Sequence, residues 1–520
     1  MRSASLSALV LVAVTTSVQA GLIEDIWNLI PKRLTGERWE KTITLEGLLQ
    51  HSRKLQAIAD ANGGARDFGT PGYNASVEYV YNLAKSLGYQ TTRQSVPFPK
   101  SIVKDVQLTI EKKVFAPGAV LAFSYTPGTG GPVTAPIIYV PDLPGGEEGH
   151  GCDPADYQSI DIKGKLALVQ RGTCTFALKT ELALNAGAAG LVLFNNAPGG
   201  PISSRLNYDV SKNSPTVMIS LEDATPFVAR LNGTNPETIS ATLSVDASVR
   251  PSWSENVIAQ TRWGDKNNVL FVGAHLDSVP AGPGINDDGS GTATVAELAR
   301  TLAKGFLPGK NAVRFAWWAN EEIGLIGSQY YVDSLSAAER KKIVAYTNLD
   351  MTASPNYILG IHDGDNSEGQ NNIESPVGSA ELEALYQKSF DDRKLPHGSY
   401  AFTSSSDYNA FLSAGIAAGG LATGAGGLKT EAEAKAFGGR AGIAYDECYH
   451  RFCDTIDNLS HDAFLWNAQA VAKVVGNLVQ NAKPIKDAKP AVAGAARLTS
   501  LKSSTVGNIN LGKHCAHDEL

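Results

Sequence analysis

The chain of 520 residues has no basic run able to follow a phosphate backbone, and its formal net charge is −7. A nucleic-acid partner is therefore not expected. Beyond the N-terminus it has no apolar stretch of the roughly 20 residues needed to cross a bilayer. No internal repeat is visible, so repeat architectures drop out. Cysteine is scarce, five residues in all; so few can pin loops but cannot staple a chain this long. What is present is a 43% apolar and 19% charged composition, that of a chain with a packed core. The length calls for two or three domains.

Residues 1–20 have the layout of a secretory signal: Arg2, apolar residues over 8–14, then Val18-Gln19-Ala20 as a small-residue cleavage site. Three Asn-x-Ser/Thr sequons, at Asn74, Asn232 and Asn458, agree with that route. In an oxidising compartment Cys152 could pair with Cys174 and Cys448 with Cys453, leaving Cys515 over. The last four residues, His517-Asp518-Glu519-Leu520, match a receptor-read retrieval signal of the endoplasmic reticulum. That signal competes with secretion unless the tail is removed.

Residues 21–40 read as a lead-in or pro-segment. Two amphipathic helices are expected between 44 and 87, with Gly69-Thr70-Pro71-Gly72 turning between them, then strands over 91–98 and 106–114. The character changes at Pro127-Gly128-Thr129-Gly130-Gly131-Pro132. Short strands at 137–140, 166–169, 190–194 and 217–221, around a helix at 179–187, mark a separate α+β module. From 256 onward strands (269–273, 312–318, 342–348) alternate with helices (293–303, 327–335, 381–389), and a helix over 462–481 closes the domain. That alternation predicts an α/β domain: a doubly wound, mostly parallel sheet with helices on both faces. The expected divisions are thus 41–126 and 250–482 for the main domain, 127–240 for the module, and 483–520 for a flexible tail.

Histidine and carboxylates gather where those strands end. Val269-Leu270-Phe271-Val272 is apolar enough for a buried strand; His275 and Asp277 follow it, two apart and so on one side of extended chain. A Gly/Pro-rich loop leads to Asp287-Asp288 at the start of a helix. Asn320-Glu321-Glu322 follows a second strand, and Asp350 ends a third. In Cys448-Tyr449-His450-Arg451-Phe452-Cys453 a histidine sits between two cysteines, where a disulfide would fix the imidazole. In open α/β sheets ligands bind beyond the carboxyl ends of the strands. Singly, each group has an ordinary reading: an Asp before a helix is a frequent N-cap, and a Glu-Glu pair after a strand is usually solvated. Gathered at buried strand ends they are costly unless they bind or react with something. Nitrogen and oxygen donors of this kind suit zinc.

These blocks, together with Val169-Gln170-Arg171-Gly172-Thr173-Cys174-Thr175-Phe176 in the module, resemble the co-catalytic dizinc aminopeptidases. The likeness is to the branch of fungal leucine aminopeptidase 2 and vacuolar aminopeptidase Y. It implies the zinc exopeptidase fold with an inserted protease-associated domain, and two zinc ions per chain. His275 and Asp350 would hold one ion, Glu322 and His450 the other, and Asp287 would bridge them beside a cis peptide to Asp288. Asp277 would orient the His275 ring, Glu321 would be the general base, and Tyr449 would stabilise the oxyanion. The activity implied is removal of N-terminal residues, Leu and other large apolar ones, from peptides or proteins by a water activated between two metals. The resemblance also implies a secreted or vacuolar location; a monomer is expected. One departure stands out: some bacterial relatives have an Arg before the Ser-Asp pair that here is Ser406-Asp407, whereas this chain has Ser405. A carboxypeptidase or a glutaminyl cyclase would use the same fold, but the Asn320-Glu321-Glu322-Ile323-Gly324 and Cys448-Tyr449-His450-x-x-Cys453 pattern favours the aminopeptidase branch, and the complete ligand set without a membrane anchor speaks against an inactive receptor-like scaffold.

Overall fold

A computed structural model describes residues 32–142, 150–158, 160–172, 174–207, 209–233, 235–304 and 306–489. The expected signal, most of the lead-in, nearly all of the tail, Cys515 and residues 517–520 lie outside them. The described residues fall into two compact units, one within Met1–Val96 and Trp253–Ala516, the other Pro97–Ser252.

The first unit opens with helices α1 (Leu45–Ala61) and α2 (Pro71–Ser86). Thr44 and Thr70 cap them, accepting hydrogen bonds from the main-chain N–H of Gly47 and Tyr73, and Pro71 sits in the first turn of α2. The central strand is β1 (Asp265–His275), followed by α3 (Gly289–Ala303), β2 (Asn311–Trp318), α4 (Ile326–Ser334) and β3 (Ile343–Leu349). After these come α5 (Tyr408–Ser413), β4 (Ala418–Ala422) and the closing helix α6 (His461–Gln480). Strands β2, β1, β3 and β4 lie side by side in that order, all parallel. The sheet is mostly parallel, as expected; Gly360–His362 and Ile239–Gln260 run antiparallel to β4 and β2.

Alternation along the strands explains why helices cover both faces. Leu270, Val272 and Ala274 of β1 and Phe315 and Trp317 of β2 pack with Leu48, Val77, Val295 and Val471 from α1, α2, α3 and α6. Phe271, Ala316 and Trp318 point the other way, against Tyr331 of α4 and Phe411 of α5. There Tyr346 and Phe411 stack with ring centroids 3.7 Å apart. Full burial of each such side chain contributes about 1.5–3 kcal/mol. Gly273 is required in β1, because a Cβ there would lie 2.6 Å from the Tyr346 hydroxyl and 2.7 Å from Trp318 Nε1.

The second unit has parallel strands Val133–Tyr139, Leu166–Gln170, Gly190–Phe194 and Thr216–Ile219, with helices Phe176–Asn185 and Leu221–Leu231. The last strand ends at Ile219, short of the expected 221, because Ser220 caps the helix that follows by accepting from Asp223 N–H. The segments read as two strands, 91–98 and 106–114, are one strand, Gln90–Ile110, returning through Lys113–Val114. Pro99 and Ser101, where a break was expected, are held by the hydroxyl and the main-chain N–H of Tyr125. The Cys152–Cys174 and Cys448–Cys453 disulfides are both formed, with S–S distances of 2.08 and 2.09 Å. No helix among the described residues is long and apolar enough to cross a membrane.

Candidate metal centre

Parallel neighbours end on the same edge of a sheet, and this alone brings most of the expected residues together. His275 ends β1 opposite Trp318 of β2. Glu321 and Glu322 follow β2, and Asp350 follows β3. Asn320, Met351 and His450 have positive φ angles of 59°, 53° and 57°, uncommon for residues with a Cβ. They turn the chain sharply at each approach to the site.

Asp287 lies at the middle. Its Oδ1 is 3.2 Å from His275 Nε2 and its Oδ2 3.1 Å from His450 Nε2, so one carboxylate faces two imidazoles. His450 Nε2 is also 3.1 Å from Glu322 Oε2, while His275 Nε2 lies 3.7 Å from Asp350 and 3.9 Å from Glu321. His275, Asp287 and Glu321 are buried, whereas the side chains of Asp350 and His450 are 21% and 29% exposed. Solvent, and any substrate, therefore reaches the centre from the Asp350–His450 side. Tyr449 stacks on His450 at 3.8 Å between centroids.

The neighbouring polar groups have different partners from those the residues alone suggest. Helix α3 is capped by Asp288, not Asp287: its carboxylate accepts from the N–H of Gly291, and also from those of His275 and Met351. That occupation leaves Asp287 to face the histidines across a cis Asp287–Asp288 peptide. Asp277 meets the His275 ring through its main-chain oxygen, 3.0 Å from Nδ1, while its carboxylate stands 3.8 Å away and accepts from the N–H groups of Glu321 and Glu322. One residue thus fixes both the ring and the Glu-Glu turn.

Two supports were not legible as such. Asp446 and Asp454 flank the disulfide loop that carries Tyr449 and His450. Asp454 accepts from the N–H of Asn286 and Asp287, and Asp446 from the Asn286 amide, so the loop is docked directly onto the Asp287 segment. On the opposite side a hydrogen-bonded series runs Trp318 Nε1 to Tyr346, Tyr346 to Asn348, Asn348 to Ser406, and Ser406 to Asp350 at 2.6 Å. Ser406 belongs to the serine-rich stretch whose preceding residue departs from the family pattern. The sequence signal for it was there, an Asn one residue before β3 ends and a Ser-Asp pair, but nothing in it named the partner.

Among the sequons, Asn74 and Asn232 are exposed. Asn458 is partly buried, and its amide donates to both oxygens of Asp446 and to Asp454.

Electrostatics follows from crowding. Burial alone favours neutral imidazoles, but Glu321, Asp287 and Asp350 outweigh it and hold His275 well above the ordinary range. His450 is likewise pushed up to about 11 by Glu322 and Asp287 against burial. Burial pushes Asp277 up to about 6. Burial opposes ionisation of Asp287, yet the two imidazoles hold it ionised far below the usual carboxylate range. Tyr449 is raised well above its ordinary value by burial and then by the carboxylates around it, so its phenol keeps its proton.

A metal fits this donor set. Ligand atoms of His275, Asp287 and Glu322 lie within 4.8 Å of one another, as do those of His275, Asp288 and Asp350. Asp288, in the second group, already accepts from three main-chain N–H groups. Glu322 Oε1 is buried without a hydrogen-bond partner, a cost that a cation would offset. The imidazole and carboxylate chemistry is that of zinc sites.

Comparison with known proteins agrees. Residues 256–475 match the model of peptidase family M28 and residues 133–227 that of the PA domain. The chain is 38% identical to leucine aminopeptidase 2 of Trichophyton rubrum over 483 residues, covering 91% of this chain and 92% of the relative. It is 40% identical to an aminopeptidase of Pseudomonas aeruginosa over 476 residues, 89% of this chain and 86% of that one. Among solved structures it resembles the aminopeptidase from Aneurinibacillus sp. strain AM-1, with a TM-score of 0.65, 28% identity and coverage of 88% and 97% of the two chains. It also resembles BSAP, a zinc aminopeptidase from Bacillus subtilis, with a TM-score of 0.63, 26% identity and coverage of 85% and 98%. The chain belongs to peptidase family M28, carries a PA domain, and is a metallo-aminopeptidase.

Proposed function

We propose that this aminopeptidase removes N-terminal residues, leucine and other large apolar ones first, by water attack at a two-zinc centre with Glu321 as general base. The observation that carries the reading is the position of Asp287, with one carboxylate oxygen toward His275 and the other toward His450. A single carboxylate shared in this way would bridge two ions, His275 and Asp350 completing one site, Glu322 and His450 the other. Zinc held there would polarise the scissile carbonyl and lower the pKa of water.

The protein's own residues supply the rest. Glu321 is buried beside the centre, with its main-chain N–H held by Asp277. From there its carboxylate takes the attacking water's proton and passes it to the leaving amine. Tyr449, still protonated, donates its phenol hydrogen to the developing oxyanion. The partly exposed Asp350–His450 side admits the peptide terminus. The name of the Trichophyton relative supports the leucine preference. Two disulfides and the exposed Asn74 and Asn232 support passage through the secretory route, with glycans at those two asparagines.

The test is hydrolysis of leucine 4-nitroanilide against its N-acetyl derivative. The free amine should be cleaved and the blocked one spared; equal rates on both would remove the exopeptidase reading.

A further inference from the structure

Arg66 lies in the connection between α1 and α2, a region to which the chemistry assigns nothing. It is fully buried, and four of its hydrogen bonds go to one place. Its main-chain N–H donates to Ser278 Oγ at 2.9 Å, Nε to the Pro283 carbonyl at 2.9 Å, Nη1 to that of Leu276 at 2.5 Å and Nη2 to that of Gly284 at 2.6 Å. These residues belong to the loop joining His275 to Asp287. Ser278 in turn bonds the Gly282 carbonyl, and a Cβ on Gly284 would sit 2.5 Å from Ser278 Cβ, so the loop is folded tightly on itself around the guanidinium.

The guanidinium spreads its donors over three nitrogens in one plane, each toward a different carbonyl; an ammonium has three donors too, but from a single nitrogen that does not span the same positions. A buried cation whose direct partners are neutral carbonyls is costly. Burial indeed disfavours the charged form here, and the carboxylates of Asp277, Asp454, Asp288 and Asp287 oppose that effect. The charge thus stands behind the acidic groups that face the centre.

We propose that Arg66 is a positioning residue for the metal centre, setting the spacing of His275 and Asp287 and through it the affinity for zinc. The proposal rests on the zinc reading above. The test compares the full-length wild type with Arg66→Met and Arg66→Lys. Zinc affinity is measured by chelator competition, and the melting temperature with and without zinc. Wild type should gain thermal stability from zinc. Arg66→Met should lose about 10–100-fold in zinc affinity, the usual effect of removing a group that orients ligands, and with it much of the zinc-dependent gain. Arg66→Lys, keeping the charge but not the fork, should fall between. If both metal-free and zinc-loaded variants melt lower by equal amounts, with zinc affinity unchanged, Arg66 is merely structural and the proposal fails. If Arg66→Met does not fold, unchanged zinc affinity in Arg66→Lys is enough to overturn it. A wild type that neither binds zinc nor gains from it would overturn the metal reading, and the proposal with it.

Discussion

Removing the Asp454 carboxylate should cost more than its distance from any substrate suggests. It accepts two main-chain N–H groups, Asn286 at 2.8 Å and Asp287 at 2.9 Å, and the Asn458 amide at 3.2 Å. Asp454→Ala leaves both buried main-chain donors without an acceptor, at about 1–3 kcal/mol each, or about 2–6 kcal/mol together. Part of that cost is returned. Burial, and then Asp446 beside it, push Asp454 up to about 8, so its ionised form is itself unfavourable and the lower half of the range is expected. Asp454→Asn keeps one oxygen, able to serve Asn286 and Asn458, and turns an amide toward Asp287 N–H. It should lose one donor's satisfaction only, about 1–3 kcal/mol. Urea unfolding followed by tryptophan fluorescence measures this in the right unit, because none of the seven tryptophans falls within Pro97–Ser252. A loss below about 0.5 kcal/mol for the alanine variant, the scale of an ordinary surface change, would refute the reasoning. So would equal losses for both variants.

Other expectations follow from the same geometry. Both imidazoles are held protonated in the metal-free protein, His275 well above its ordinary value and His450 at about 11, and a ligating nitrogen must lose its proton. Zinc affinity should therefore rise with pH, and calorimetry in buffers of different ionisation enthalpy should show about two protons released; no release would contradict this. In the metal-free fold the raised His450 contributes stability that is fully present below its ordinary 6.5 and is lost as pH climbs toward about 11, which pH-dependent melting checks. Ser406→Ala leaves the Asn348 amide and one Asp350 oxygen without their partner; zinc affinity should drop about 10–100-fold in a chelator competition. Replacing Cys448 and Cys453 by Ser opens a loop of sequence separation 5. It should cost about 2 kcal/mol by loop entropy and lower zinc content, since His450 rides on that loop.

The sheet was legible because β1 to β3 are short apolar runs bounded by glycine and polar residues, and alternation in sequence fixes which ends lie together. That also made His275, Glu321, Glu322 and Asp350 legible, each being at or just past such an end. Three things were hidden for physical reasons. The cap of α3 is Asp288, and two adjacent aspartates offer no local sign of which turns to the helix and which to the histidines. Arg66 and Asp454 act through main-chain groups, and Asp446 through the Asn286 side chain, roughly 160 to 220 positions away, and bonds across such separations leave no local residue pattern. The helix Leu221–Leu231 contains Pro226, a residue that argues against a helix, so the strand before it was read too long.

The central claim, that Glu321 moves the proton and does not hold the metal, is tested most directly by turnover of Glu321→Gln at matched zinc content. The glutamine variant should bind as much zinc as wild type and hydrolyse leucine 4-nitroanilide about 10²–10⁴-fold more slowly, the usual worth of a general base. Wild-type turnover in that variant, or loss of zinc together with activity, would contradict it.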